Sequence, residues 1–357
     1  MINRKNSVLI MTPFDVRTYP RPLFLHLALQ ESRVPATLAS IPTNSSPLKV
    51  LKQLIVMARL RPKVVVCINP SWRLSLPFLV LSKFLGLDFF TDCQDLFYYA
   101  FSGAKGLVFR SLEMFVIRYS RGVIFSGRIA ERTFGPTHKN PSTAIPLGYL
   151  DLVTTRGPLP SLDVQDHSAP RVLYFGSGWA FDDLPVLFAA FKQLIELYPN
   201  AELLLVGIDS KNRSGVDKSI REFEIGKNVI VLPSQKNLSD ELASILFSAH
   251  ILVLPAKDTP FARITVRYKL YSYLMVGRPI VATDLPAIRD ALKGTSSAIL
   301  VKASDANEFF QGMLSIIGDA DAALQMGRSA RFLFKQYYEA PICYHPYVRF
   351  LMANKGH

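Results

Sequence analysis

The sequence predicts an α/β chain built from two doubly wound parallel sheets. Three observations carry that expectation. Short apolar runs alternate with longer helical patterns along nearly the whole chain. The runs are apolar throughout rather than at every second residue, which marks strands covered by helices on both faces. One stretch without period, Asp151–Pro170, carries three prolines and breaks the pattern near the middle.

Taken in order, Val8–Met11 follows a basic N-terminus but is too short for the apolar region of a signal peptide, so it reads as a first buried strand. Helical spacing then covers 22–31, and strands follow at Ala36–Ile41, Val64–Ile68, Asp88–Thr91, Gly122–Phe125 and Thr143–Pro146. Between them, 47–60, 72–86, 106–120 and 127–134 show helical periodicity. After the proline-bearing break the strands are Arg171–Phe175, Glu202–Gly207, Asn228–Leu232, His250–Leu254, Pro279–Ala282 and Ala298–Val301, again with helices between. Beyond Phe310 the pattern is helical nearly to the end. This divides the chain into a first domain (1–155), a linker (156–169), a second domain (170–335) and a helical closing segment (336–357). Two such domains with a hinge and a cleft bind ligands at the C-terminal edges of their strands.

At 357 residues the chain can bury two cores, and 49% hydrophobic with 19% charged residues excludes a disordered protein. The net charge of +13 is unevenly placed. Residues 1–160 hold 20 lysines and arginines against 8 acids, while 161–357 hold 21 against 20. The basic half calls for an anionic partner: nucleic acid, an acidic polymer or an anionic membrane. No RRM, KH or zinc pattern supports nucleic acid, so that partner is set aside. The most apolar stretch is interrupted by Lys83 and Asp88, and no run reaches the roughly 20 residues of a membrane span. Cys67, Cys93 and Cys343 lack metal-ligand spacing and read as buried thiols of a reducing compartment.

Four groups of residues carry candidate chemistry. The loop Gly176-Ser177-Gly178 follows the first strand of the second domain, where glycines let a backbone approach a diphosphate at a helix N-terminus. Arg263, Arg267 and Lys269 precede or open a helix in "RITVRYKLYSYLMVGRPIVATD". Cations are unfavourable at that end of the helix dipole unless an anion joins them. In the first domain, "FFTDCQDLFYYAFSG" places Asp92 and Asp95 after a strand, where carboxylates could assist an acceptor hydroxyl or bind its sugar. The loop "TPFDVRTYPRP" adds Asp15, Arg17, Tyr19 and Arg21. Lys49, Lys52, Arg59, Arg61 and Lys63 flank an apolar helix suited to an anionic bilayer. His26 and His138 read as structural or surface residues.

The second half resembles the nucleotide-binding half of GT-B glycosyltransferases, above all the retaining family 4 type and its relatives that build bacterial surface polysaccharides. "RVLYFGSGWAFDDLPVLFAAFKQLIELYPNAELLLVG", "NVIVLPSQKNLSDELASILFSAHILVLPAKDTPF" and "KLYSYLMVGRPIVATDLPAIRD" carry the likeness, with the C-terminal helices as the return crossing. The resemblance implies two Rossmann-like domains facing a cleft, the C-terminal helices crossing back to the first. It implies a UDP- or GDP-sugar donor on the second domain and a lipid-linked or polysaccharide acceptor on the first. It also implies transfer with retention and a peripheral place on the cytoplasmic membrane face. The Asp-x-x-Asp spacing of Asp92 and Asp95 is not the Asp-x-Asp of metal-dependent GT-A enzymes, so no metal or other cofactor is expected. Gly176, Ser177, Gly178, Arg263, Arg267, Lys269 and Ser272 fall on donor positions; Asp92 and Asp95 take the acceptor-side catalytic role. Four departures stand out. The family's arginine beside the first glycine is Ser177, and its lysine six residues on is Asp182. Its ribose-binding glutamate is Ser272, and the glutamate eight residues earlier is Ile264. These losses keep a second reading open, a non-catalytic GT-B partner of an assembly enzyme.

Overall fold

The computed structural model describes residues 7–14, 19–41, 45–153, 169–233 and 239–356, with only the backbone of Phe97 and Ala100. It forms two compact units, Met1–Gly148 with Ala340–His357, and Tyr149–Glu339.

The first unit is built on six parallel strands: β1 (Val8–Thr12), β2 (Ala36–Ser40), β3 (Val64–Ile68), β4 (Asp88–Cys93), β5 (Gly122–Phe125) and β6 (Ser142–Ala144). Their order is β2-β1-β3-β4-β5-β6. The crossovers are α1 (Arg21–Glu31), α2 (Pro47–Leu60), α3 (Ser75–Leu85), α4 (Gly103–Tyr119) and α5 (Arg128–Phe134). The sheet's runs are apolar on both sides because helices cover both faces. On one face Met57 of α2, Phe78 and Leu79 of α3 and Val116 of α4 close over Leu9, Met11, Val65, Cys67 and Phe89. Full burial of each such side chain contributes about 1.5–3 kcal/mol.

The second unit has its own six parallel strands: β7 (Arg171–Phe175), β8 (Glu202–Val206), β9 (Val229–Leu232), β10 (Ile251–Leu254), β11 (Ile280–Thr283) and β12 (Ile299–Val301). They run in the order β12-β11-β10-β7-β8-β9. The winding reverses between β7 and β10, which is where ligands enter such sheets. The helices are α6 (Leu184–Leu197), α7 (Ser210–Glu222), α8 (Asp240–Phe247), α9 (Pro260–Ile264), α10 (Tyr268–Val276), α11 (Pro286–Leu292), α12 (Ala306–Gly318) and α13 (Ala320–Tyr337). Helix α10 ends at Gly277 in the left-handed region (φ 65°), and an added Cβ would meet the Gly327 carbonyl at 3.0 Å.

The last helix, α14 (Ala340–Asn354), returns to the first unit and packs on α1. Tyr344 Oη donates to the Leu147 carbonyl, 2.5 Å, and Tyr347 Oη to Asp92, 2.8 Å.

All twelve strands expected from the sequence are present, with ends moved by one or two residues. One of those moves matters. β4 continues through Cys93, so Asp92 lies inside the sheet, paired in register with Ile68 and Ile124.

Candidate functional site

In the second unit β7 ends beside the switch point and the chain turns through Gly176, Ser177 and Gly178. Gly178 takes a left-handed φ of 70°, which a side chain would strain. The loop is fastened at each residue. Gly176 N donates to the Val206 carbonyl (2.9 Å), Ser177 O accepts from Asp209 N and Asn212 Nδ2, and Gly178 N donates to Tyr174 Oη (3.2 Å). The backbone N–H groups of Gly176 and Gly178, in the loop expected to approach a diphosphate, are therefore spent inside the protein.

The cations converge on this loop from α10. Lys269 Nζ lies 3.1 Å from Asp182 Oδ1 and 3.2 Å from Tyr174 Oη, and stands over the Tyr174 ring at 4.2 Å. A Cβ on Gly176 would collide with that ammonium. Tyr174 Oη donates to the second Asp182 oxygen at 2.7 Å. Arg267, the residue before α10, rests its guanidinium on Phe181 and Phe261, 5.5 and 5.6 Å from the ring centres. Its Nε and Nη2 are buried and have no hydrogen-bond partner.

The electrostatics follow from two cations sharing one carboxylate. Burial disfavours the Asp182 charge, but Lys269 and then Arg267 outweigh it and hold the carboxyl below its ordinary value. Burial lowers Lys269, Arg267 adds repulsion, and Asp182 does not fully offset them, so the ammonium sits below the usual lysine range. The cluster therefore has an excess positive charge at the start of a helix with no acid in its first turn. An anion with several oxygens suits it.

The sequence reading took Asp182 as a lost family lysine. A cation stands beside that position all the same, because the Lys269 side chain reaches across to Asp182. Pairing 87 residues apart in the chain leaves no periodic trace, so Asp182 carried no signal of its own.

Two other donor-side residues stand elsewhere. Ser272 is fully buried, and its hydroxyl donates to the Lys269 carbonyl at 2.8 Å. It closes a turn of its own helix and presents nothing to a ribose, because every residue of α10 from Lys269 to Val276 is buried. Arg263 is exposed and forms a two-pronged pair with Asp258, 2.6 and 2.7 Å. It is bound to its own loop and does not join the cluster. Asp258 also lines a cavity of about 690 Å³ at the ends of β10, β11 and β12, with Lys257, Thr259, Asp284, Lys302 and Ser304.

In the first unit Asp92 is corrected from acid–base residue to anchor. It is fully buried, accepts two bonds from Arg21 (2.7 and 3.0 Å) and a third from Tyr347. Arg21 spends its other nitrogen on the Ile145 and Pro146 carbonyls, 3.0 and 2.8 Å. Its place in the loop group is likewise corrected: it is fully buried, and although burial works against its charge, Asp92 keeps the guanidinium firmly ionised. This knot joins β4, α1 and α14.

Asp95, past the end of β4, is half-buried, and its backbone N–H donates to Asn69 Oδ1 at 3.0 Å. Tyr19 Oη donates to Gln94 Oε1. Burial, then the Asp95 carboxylate, raises the Tyr19 phenol well above its ordinary value. Asp95 and Tyr19 thus share one neighbourhood, with Asn69 and Gln94 as framing residues the sequence reading missed. Asp15 and Arg17 lie outside the described residues.

The paired doubly wound sheets, the switch-point site and the returning C-terminal helix define the class: this is the GT-B glycosyltransferase fold. Residues 169–319 match the model of the family described as Glycosyl transferases group 1. The chain superposes on sucrose-phosphate synthase from Thermosynechococcus elongatus with a TM-score of 0.79 at 15% identity, covering 97% of this chain and 99% of that one. HepE of Anabaena, determined in complex with UDP and glucose, gives a TM-score of 0.77 at 11% identity over 98% and 99% of the two chains. In sequence, D-inositol 3-phosphate glycosyltransferase of Corynebacterium urealyticum is 24% identical over 149 residues. That match covers 41% of this chain and 34% of the relative's length. No helix among the described residues is long and apolar enough to cross a membrane.

Proposed function

We infer that the chain is a glycosyltransferase that moves a hexose-type sugar from a nucleoside diphosphate to a hydroxyl of a lipid-linked or polysaccharide acceptor. One observation carries the reading: Lys269 is ion-paired to Asp182 beside the Gly176 loop, and Arg267, two residues before it on Phe181 and Phe261, has two guanidinium nitrogens without a hydrogen-bond partner. Such a cluster suits a diphosphate, on which charge grows as the sugar leaves. The bond between the anomeric carbon and the diphosphate oxygen breaks, and the electron pair stays with the diphosphate. The acceptor oxygen forms the new bond on the same face, giving retention, and its proton passes to the departing phosphate. Fixed cations take the place of a metal ion in this scheme. Asp95 orients the acceptor hydroxyl. The basic first half supports a peripheral station at the cytoplasmic face of an anionic membrane.

The complexes of HepE with UDP and glucose support a nucleotide-sugar donor by analogy of fold. Calorimetric titration of UDP, GDP and their hexose conjugates tests the reading. Binding of one nucleotide family, weakened at least about tenfold by Arg267→Gln, is expected. The buried, self-satisfied Ser272 favours the second reading, a non-catalytic GT-B partner. In that case no nucleotide binds at all.

A further inference from the structure

On the first unit, the outward sides of α2, α3 and α4 carry large apolar side chains among cations. On α2, Val50, Leu54 and Met57 turn toward the core. Leu48 is 60% exposed, and Leu51 and Ile55 are exposed with it. Lys52 and Arg59 are exposed too, and helical geometry puts 48, 52, 55 and 59 within roughly 60° of arc. On α3 Lys83 and Phe84 are exposed, Phe84 by 84%, and on α4 Leu107 is 64% exposed beside Val108 and Arg110. Helix α3 packs beside both α2 and α4, and all three close over the same side of the sheet. Across the three helices seven lysines and arginines stand against one acid, Glu113, which is buried.

A protein partner's interface core is depleted in lysine and other charges, so it fits this mixture poorly. A bilayer rich in anionic lipid fits both halves of it: apolar side chains enter the acyl boundary while lysine and arginine remain at the phosphates. Large exposed apolar side chains gathered on neighbouring helices of one face mark an interaction site.

We propose that the α2–α3–α4 face of the first unit is a docking surface for an anionic lipid bilayer. Phe84 and Leu107 enter the headgroup–acyl boundary, and Lys52, Arg59, Lys83 and Arg110 meet lipid phosphates. This deepens the peripheral station proposed above by naming the face that makes contact. It rests on first-unit surface residues alone, so its failure and that of the donor reading are separable.

The test is flotation of the full chain with vesicles of phosphatidylcholine alone or with about a third phosphatidylglycerol. Binding is expected only with the anionic lipid. Each cation near the surface accounts for about fivefold in binding, so Lys52→Gln with Arg59→Gln lowers it roughly twenty-five-fold. Phe84→Ser with Leu107→Ser lowers it at least about tenfold. Lys211→Gln, on the second unit, leaves it unchanged. Brominated lipid should quench Trp72, which is exposed just before α3, in a Trp179→Phe background. Equal flotation with neutral lipid, or wild-type flotation of the Phe84/Leu107 variant, overturns the proposal. So does a dimer in solution that the same variant dissolves, for then a second copy covers the face. Nucleotide calorimetry on these variants reads the donor site separately.

Discussion

Lys269 on α10 and Asp182 beyond the β7 loop form a buried ion pair of 3.1 Å, with the Tyr174 hydroxyl touching both. Arg267 completes the group without a carboxylate of its own. A charge cluster of this composition is held together by packing yet is left electrostatically open, which is what a site for an anionic leaving group requires.

Removing one member of the pair should cost stability because it strands the other charge. Lys269→Met is expected to destabilise the protein by about 3–5 kcal/mol, read from urea unfolding. Lys269→Met with Asp182→Leu should regain most of that stability while nucleotide binding stays lost. If the double variant still binds nucleotide, the cluster is only structural.

Arg267→Gln should separate binding from folding. Its Nε and Nη2 have no hydrogen bond to lose, and Gln retains part of the stem over Phe181 and Phe261. Nucleotide affinity should fall at least tenfold, since a charge-assisted bond contributes about 1.5–3 kcal/mol. The unfolding midpoint should hardly move. Unchanged affinity in calorimetry would place the diphosphate elsewhere.

Restoring the family glutamate is expected to harm this chain. Ser272→Glu puts a carboxylate at a fully buried position inside α10, where the hydroxyl now bonds the Lys269 carbonyl. Loss of about 3 kcal/mol or more is expected, visible as a lowered thermal midpoint. A variant that melts like wild type and binds nucleotide more tightly would show that the helix can turn this position outward.

Asp92 and Asp95 of the first unit should behave differently. Asp92→Asn leaves the Arg21 guanidinium buried with a weakened partner, so stability should fall by about 3–5 kcal/mol while donor affinity is retained. Asp95→Asn should fold normally, bind donor and slow transfer at least tenfold. Turnover at the wild-type rate would make Asp95 a loop residue without a chemical role.

Acid should weaken the second unit through Asp151. Burial alone would raise this carboxyl, but the bonds from Arg331 (2.6 Å) and Lys335 (2.8 Å) hold it at about 2, against an ordinary 3.8. A group depressed on folding stabilises above its unfolded value and loses that contribution as pH falls through its folded value. The window is therefore about pH 4 down to pH 2. The shift is worth at most about 2.5 kcal/mol, and screening at the partly exposed Lys335 trims it to about 1–2. Asp151→Asn should be less stable than wild type at pH 7 and equal to it near pH 2. Parallel curves across that range would show the pair contributes nothing.

Much of this protein was legible in the sequence. Val64–Ile68 and Val172–Phe175 are apolar at every position, and only strands under two layers of helix need that, so the parallel sheets followed from pattern alone. Gly277 after a run of helix formers marked the end of α10, because backbone conformation at a C-cap is a local matter. The same local logic found the cations of Arg267 and Lys269, and the family likeness found the GT-B fold. What neighbours those side chains acquire is not local. Asp92 looked like a loop carboxylate until Arg21 and Tyr347, 71 and 255 residues away in sequence, closed around it. Asp182 looked like a missing cation until Lys269 arrived from α10. Ser272 looked like a weakened ligand contact until packing buried α10 from Lys269 to Val276. Sequence sets the periodicity, the charges and the turns because each depends on residues a few positions apart. Only the tertiary fold sets burial and pairing, and those decide whether a carboxylate is an anchor, a partner or a reagent.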